Sequence, residues 1–412
     1  MINSLQVIRR FAFVEWGGTE TVVWNTSQEL QRTGNPVEIL ATRALAIKQD
    51  EVRTEIPIHR FRYFYPYLNL TSIKKQTLDK KGGDPYSWCL YKYMLDIKNL
   101  DIIHCHTMNR IAASVRLAAR KRKIPYLVSF HGGHFDVPAE EMKLMIEPYK
   151  NTFNYGKLID LMIRKERYLT DADAIICVGY NEYDITRGKY PEKLVYYLPN
   201  GVDIDKFKPV KENDFREKYQ IAENKKLILC LSRIDYQKNQ TILVELINKL
   251  NARATDTHLV ILGPVTSENY HHKLREMIKS YNLEKQVTII PGLASDSKDI
   301  VKAYQAADVF ILPSIHEPFG IVVLEAWASG LPVITSGVGG LKRLMQNGKT
   351  GLVFDGSLDD LENKYQQLVD NSGLRDELIT NALVEVKAEY SWTSVTGKLL
   401  EYYAEIINKF RN

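Results

Sequence analysis

Short apolar runs alternate with longer amphipathic stretches along the whole chain. In the first half the runs at 7–13, 37–41, 101–105, 125–130, 174–178 and 194–198 predict strands. Helical spacing falls near 19–33, 86–98, 108–122, 156–170 and 181–188. The second half repeats the alternation. Strands are predicted at 227–232, 258–263, 287–290, 308–312, 332–335 and 351–354. Helices are predicted near 239–252, 268–281, 299–306, 321–329, 340–346, 358–370, 373–388 and 392–410. Continuous runs such as Val309-Phe310-Ile311-Leu312 suit strands buried on both faces. Strand–helix alternation predicts parallel sheets with right-handed crossovers. The expectation is therefore two doubly wound α/β domains.

The turn Pro199-Asn200-Gly201 and the polar segment that follows mark the boundary. We expect domains over 1–200 and 201–390, with a last helix over 391–412 that crosses back to the first domain. Ser391 is placed to cap that helix.

With 412 residues, 45% hydrophobic and 25% charged, the chain can build large cores, and bulk disorder is excluded. No apolar run approaches the ~18 residues of a membrane span. Glu15 interrupts the apolar stretch after Phe11, so no signal-peptide core is present. Cys89, Cys105, Cys177 and Cys230 lie far apart, which excludes a disulfide framework or zinc ribbon. A cytoplasmic protein is expected.

The net charge of +5 is unevenly spread: residues 1–200 hold 29 Lys and Arg against 22 Asp and Glu. The densest group is Arg116 with Arg120-Lys121-Arg122-Lys123, at a helix C-terminus where cations suit the dipole. It fits either a solvated helix end or a surface for anionic lipid or an acidic substrate. No nucleic-acid motif accompanies it.

Ligands of open α/β sheets bind beyond the carboxyl ends of the strands, so the loops there carry the candidate chemistry. Gly17 and Gly18 open a helix directly after the first strand, as either a tight turn or a close approach to phosphate. His104 and His106 end a strand; His131-Gly132-Gly133-His134 ends the next. Metal binding lacks further ligands at recognisable spacing. Hydrogen bonding to a hydroxylated ligand suits His131, whereas His104 is expected to be structural. Arg233 and Lys238 follow another strand, as a diphosphate grip or as surface charges.

The richest segment runs from His316 to Glu325. Glu317 and Glu325 flank Phe319, Gly320 and Ile321, and a helix starts at the glycine. Carboxylates accept paired hydroxyl bonds from sugar or ribose, and the helix start offers N–H groups to phosphate. A glycosidase pair is the other reading of two carboxylates. Gly337-Val338-Gly339-Gly340 is a second candidate anion cradle. Gly348-Lys349-Thr350 is no P-loop, because Arg343 stands where the first glycine is required. G-x-S-x-G is absent.

These motifs, in this order, resemble the family 4 retaining glycosyltransferases of GT-B fold. The resemblance rests on Gly17-Gly18-Thr19-Glu20, Asp101-Ile102-Ile103-His104-Cys105-His106, His131-Gly132 and Pro199-Asn200-Gly201-Val202-Asp203. It continues through Ser232-Arg233-Ile234 with Lys238, Glu317-Pro318-Phe319-Gly320 with Glu325, and Gly337-Val338-Gly339-Gly340. It implies two Rossmann-like domains facing a central cleft. It also implies retaining transfer of a hexose-type sugar from a UDP- or GDP-sugar to a hydroxyl of a glycan or lipid-linked acceptor, as in cell-surface polysaccharide or glycolipid assembly.

By the resemblance, Arg233 and Lys238 grip the diphosphate, Glu325 the ribose, and Glu317 the sugar hydroxyls. The backbone of Phe319, Gly320 and Ile321 lies near sugar and phosphates. Gly17 and Gly18 close over the diphosphate, and His131 lies near the transferred sugar. No metal or other cofactor is expected. The basic first domain suggests peripheral contact with an anionic membrane at its inner face, and the aromatic run Tyr63-Phe64-Tyr65-Pro66-Tyr67 fits stacking on a sugar, a lipid interface, or a buried strand end and loop. Leu341-Lys342-Arg343, Asn35 and Asn239 depart from the family pattern. Competing readings are an epimerase or phosphorylase of the same fold, and a non-catalytic sugar-nucleotide-binding protein.

Overall fold

The structure, a computed structural model, describes residues 1–13, 16–80, 82–132, 147–150, 152–208, 212–253, 255–293 and 297–412. Two compact units result: residues 1–199 with 395–412, and residues 200–394. Gly133 and His134 lie outside the described residues.

The first unit is built on an eight-stranded sheet ordered β10-β9-β7-β6-β1-β2-β4-β3. Its strands are β1 (Ser4–Arg10), β2 (Val37–Thr42), β3 (Asp50–Arg53), β4 (Ile56–Phe61), β6 (Ile102–Cys105), β7 (Tyr126–Phe130), β9 (Ala174–Cys177) and β10 (Leu194–Tyr197). All neighbours are parallel except β3 with β4. A separate antiparallel pair joins β5 (Tyr67–Leu68) to β8 (Phe153–Asn154). The chain builds the sheet outward from β1 in one direction through β2 and β4. It then returns to the other side through β6, β7, β9 and β10. The order therefore reverses between β1 and β6, the position where open α/β sheets bind ligands.

The second unit repeats the plan with a six-stranded parallel sheet ordered β13-β12-β11-β14-β15-β16. Its strands are β11 (Lys226–Leu231), β12 (Thr257–Leu262), β13 (Val287–Ile290), β14 (Val309–Leu312), β15 (Val333–Ser336) and β16 (Leu352–Phe354). Here the order reverses between β11 and β14. β14 is buried at all four positions, as its unbroken apolar run requires. Ser267, Ser297, Ser357 and Asn371 cap the helices that follow them, each accepting from a backbone N–H in the first turn. Ser391 likewise accepts from the N–H of Ser394 at 3.1 Å.

Among the described elements of the first unit, β3, β4, the short pair β5 and β8, the helix Ser72–Lys80 and the 3-10 turn Glu147–Tyr149 have no counterpart in the apolar pattern. Pro57 sits inside β4, opposite Val52 of the charged edge strand β3. Proline and charge weaken a strand signal, yet both suit a sheet edge. The helix expected over 156–170 is instead Gly156–Met162, followed by a 3-10 turn at Lys165–Arg167. Arg164 breaks it, with φ at 47° in the left-handed region.

Candidate functional site

In the second unit, the loops leaving β11 and β14 carry the charged residues. Asp235 starts a 3-10 turn and accepts from the N–H of Gln237 at 3.0 Å. Its other oxygen accepts from Thr266 Oγ1 at 2.9 Å. The turn brings Lys238 inward, and Asn239 then takes a left-handed φ of 52° to launch the next helix. Arg233 stays half-exposed, with Nη2 3.2 Å from Gln237 Oε1 and 3.5 Å from Asp235 Oδ2.

Lys238 is buried and its Nζ donates to Glu317 Oε2 at 2.6 Å. The two loops are also joined through their backbones, where Ile315 N–H donates to Gln237 O at 2.8 Å. Gly320 carries the cap of the helix Ile321–Ala328 at φ 97°, where a side chain would strain the backbone and meet Leu341. The N–H groups of Ile321 and Val322 open the helix ahead of any intrahelical acceptor, while that of Val323 already donates to Gly320 O at 2.9 Å. Phe319 is buried against Tyr390.

Glu325 is not drawn to the Lys238–Glu317 pair. It accepts from Tyr304 Oη at 2.8 Å, and burial raises its carboxyl above the ordinary range. Burial, and then the neighbouring Glu325, drives Tyr304 well above the normal phenol range.

Gly337-Val338-Gly339-Gly340 does not present the row of amides expected of a second anion cradle. The N–H groups of Val338, Gly340 and Leu341 donate to the carbonyls of Ser336, Glu317 and Val338. A Cβ at Gly339 or Gly340 would lie 2.3 Å from Glu317 O or 2.2 Å from Pro318 O. These glycines let one loop support the backbone beneath Glu317.

In the first unit, Gly17 caps the helix Gly18–Arg32, and a Cβ at Gly18 would meet nothing within 4 Å. Glu20 is buried against Arg10, its Oε1 accepting from Nε at 2.9 Å. His104 in β6, His106 just after it and His131 just after β7 come together. Nδ1 of His106 lies 2.9 Å from Nε2 of His131, while Nε2 of His104 lies 2.6 Å from Ser129 Oγ. Burial lowers all three below the usual imidazole value, His131 to about 4. Among the described residues, no group of three or more His, Cys, Asp or Glu side chains is placed to hold a metal ion.

Two features are open in the sequence between a surface role and a structural one. Arg116 is buried and paired with Asp171 at 2.6 Å, and Arg120 reaches the same carboxylate at 2.9 Å. Arg122 donates to Met94 O at 2.9 Å. Arg116 is thus an internal cross-link and Arg122 a half-buried one, while Arg120, Lys121 and Lys123 stay exposed at the helix end. Likewise, Tyr63 and Tyr65 both donate to Asp79, at 2.7 and 2.9 Å, and Tyr65 is buried. The aromatic run is mostly a structural anchor. Sequence reasoning also passed over Gln6, Ser129, Tyr304 and Tyr403. His104 is a polar residue inside the apolar run 101–105, and Gln6 stands directly before the run 7–13, inside β1 in the structure.

A family model described as "Glycosyltransferase Family 4" matches residues 16–206, and one described as "Glycosyl transferases group 1" matches residues 211–384. An uncharacterized glycosyltransferase of Methanocaldococcus jannaschii is 25% identical over 96% of this chain and 97% of its own length. A GDP-mannose-dependent alpha-(1-6)-phosphatidylinositol monomannoside mannosyltransferase of Mycobacterium tuberculosis is 32% identical over 52% of this chain and 56% of its own. Among solved structures, Anabaena HepE in complex with UDP and glucose has a TM-score of 0.69 at 17% identity, covering 98% of this chain and 100% of that one.

Proposed function

The chain belongs to the family 4, group 1 glycosyltransferases of GT-B fold, and from that premise we propose retaining transfer of a hexose-type sugar from a UDP- or GDP-sugar to a hydroxyl of a glycan or lipid-linked acceptor. The observation that carries this reading is the Lys238–Glu317 pair beside the glycine-capped start of Ile321–Ala328. A buried ammonium and a helix N-terminus together suit a diphosphate, and they stabilise the charge that develops as the sugar–phosphate bond breaks. Arg233, half-exposed, adds a planar cation for the phosphates. When a diphosphate takes Lys238, the Glu317 carboxylate becomes available to sugar hydroxyls.

Glu325, already held by Tyr304, is assigned to the ribose hydroxyls. In the first unit, Gly18 offers backbone that a ligand can approach, Gly17 shapes that loop, and His131 accepts from a hydroxyl. The cations and helix dipole supply the charge stabilisation, so the proposed chemistry needs no metal.

The lipid-linked acceptor is the favoured class. The Mycobacterium relative acts on a phosphatidylinositol mannoside by its name. In this chain, Leu158, Leu161 and Met162 are 71, 74 and 81% exposed on Gly156–Met162. The directly paired Leu68 and Phe153 are exposed too, and Lys75, Lys157 and Arg164 are exposed cations of the neighbouring segments. Such a combination suits an anionic membrane surface. No helix among the described residues is long and apolar enough to cross a membrane.

The first test is thermal shift with UDP, GDP, ADP and their sugar conjugates, with and without EDTA. A shift for one nucleotide that survives EDTA and is lost in Arg233→Ala supports the reading. Absence of any shift at millimolar concentration counts against it.

A further inference from the structure

A single line of hydrogen bonds runs through the first unit, from β7 to the C-terminal helix and back. Ser129 Oγ lies 2.6 Å from His104 Nε2, and His104 Nδ1 lies 2.7 Å from Tyr403 Oη. Gln6 Nε2 donates to Tyr403 Oη at 3.1 Å and to Ser4 Oγ at 3.3 Å. Gln6 Oε1 lies 2.7 Å from His106 Nε2, and His106 Nδ1 lies 2.9 Å from His131 Nε2. The last atom, His131 Nδ1, is shielded from solvent and has no partner among the described residues.

The placement of Gln6 sets the direction of the line, because the hydroxyl and imidazole members can each serve in either sense. Gln6, fully buried in β1 opposite His104 of β6, has one donor group and one acceptor. With its amide nitrogen on Tyr403 and Ser4, its oxygen must receive a proton from His106 Nε2. A neutral imidazole carries one N–H, so His106 Nδ1 is then an acceptor and takes the proton of His131 Nε2. His131 Nδ1 is left as a bare lone pair. On the other side, Tyr403 accepts from Gln6 and donates to His104 Nδ1, leaving the His104 Nε2–H for Ser129.

We propose that Gln6, His106 and Tyr403 are positioning residues that fix His131 in its Nε2–H tautomer, so that Nδ1 is a standing hydrogen-bond acceptor. The molecule that completes the line must then present a donor. A hydroxyl fits, whereas an ether, carbonyl or phosphate oxygen is refused because two acceptors would face each other. This gives the proposed transfer a selection rule for one hydroxyl, and it rests on that reading only for the identity of the hydroxyl's owner. The tautomer itself is a property of the ligand-free chain.

The test is long-range proton–nitrogen NMR of the full chain with nitrogen-15 histidine, the His131 signals being assigned by their loss in His131→Gln. The expected result is a protonated Nε2 and an unprotonated Nδ1. In Tyr403→Phe, whose missing hydroxyl touches neither His106 nor His131, Gln6 can turn over. His131 is then expected to populate the Nδ1–H form. Gln6→Met is expected to do the same, and with a turnover assay in hand to lower kcat/KM about tenfold, the worth of one hydrogen bond of about 1.4 kcal/mol. A protonated Nδ1 in the unmodified chain overturns the proposal, and this measurement needs only the His131→Gln variant used for assignment to fold. An unchanged His131 tautomer in both folded variants also overturns it. Failure of the transfer reading would show separately, as a fixed tautomer in a chain that turns over no nucleotide sugar.

Discussion

Lys238 Nζ and Glu317 Oε2, 79 residues apart in sequence, meet at 2.6 Å with their side chains only 9 and 13% exposed. A cation this far from water needs a counter-charge, and Glu317 supplies it until a diphosphate does. Lys238→Met strands the carboxylate and should cost roughly 3 kcal/mol, read from urea unfolding. It should also weaken binding of the cognate nucleoside diphosphate by at least about tenfold in calorimetry.

Glu317→Gln separates the two partners' roles. The amide still accepts from Lys238 but no longer competes for it by charge. Nucleoside diphosphate affinity is expected to hold or tighten, while kcat/KM for sugar transfer falls about a hundredfold, the scale of one lost charged contact in the transition state. Equal weakening of diphosphate binding in Glu317→Gln and Lys238→Met would contradict the assignment of Glu317 to the sugar.

The glycines divide into supporting and approachable positions. Gly339 has φ 52° and a would-be Cβ 2.3 Å from Glu317 O. Gly339→Ala should therefore destabilise by about 1–3 kcal/mol and displace Glu317. Gly18→Ala meets no protein atom within 4 Å, so its melting point should stay within about 1 °C of the parent's, the scale of a few tenths of a kcal/mol. Its effect should fall on donor KM. Paired melting curves and donor titrations check both.

Acid should loosen the first unit through its histidines. His104, His106 and His131 are held neutral by burial, and His131 falls from 6.5 to about 4. Between those values the unfolded chain binds more protons than the folded one, so stability is full above about pH 6.5 and declines as pH falls toward 4. The melting temperature should track this decline. His106→Phe, which lacks that proton site, should show a shallower decline from its own neutral-pH value.

The exposed apolar residues give a separable prediction for the acceptor side. The full chain should sediment with vesicles containing anionic lipid, and less so as salt rises. Replacing Leu158, Leu161 and Met162 by serine should reduce binding by an order of magnitude or more, at about 25 cal/mol per Å² of apolar surface. Turnover of a water-soluble acceptor should be spared. Retained vesicle binding in the triple variant would place the contact elsewhere.

Periodicity marked all six strands of the second sheet and six of the eight of the first, because strands buried on two faces must be continuously apolar and their crossover helices amphipathic, whereas the edge pair β3 and β4 left no such mark. The sequence also exposed the Glu317–Glu325 segment, since two carboxylates around a glycine at a strand end leave a local mark. Only the tertiary structure decided which charges meet. Lys238 joins Glu317, while Glu325 is claimed by Tyr304, a residue with no sequence signal. It also turned Arg116 inward to Asp171 and the tyrosines of the aromatic run onto Asp79, contacts between segments separated by at least 14 residues. The line from Ser129 to His131 closes through Tyr403, 299 positions beyond His104. Local pattern reports which face of an element is buried. It carries no record of which distant polar group a buried one will find, because that choice is made only when the sheets and helices pack.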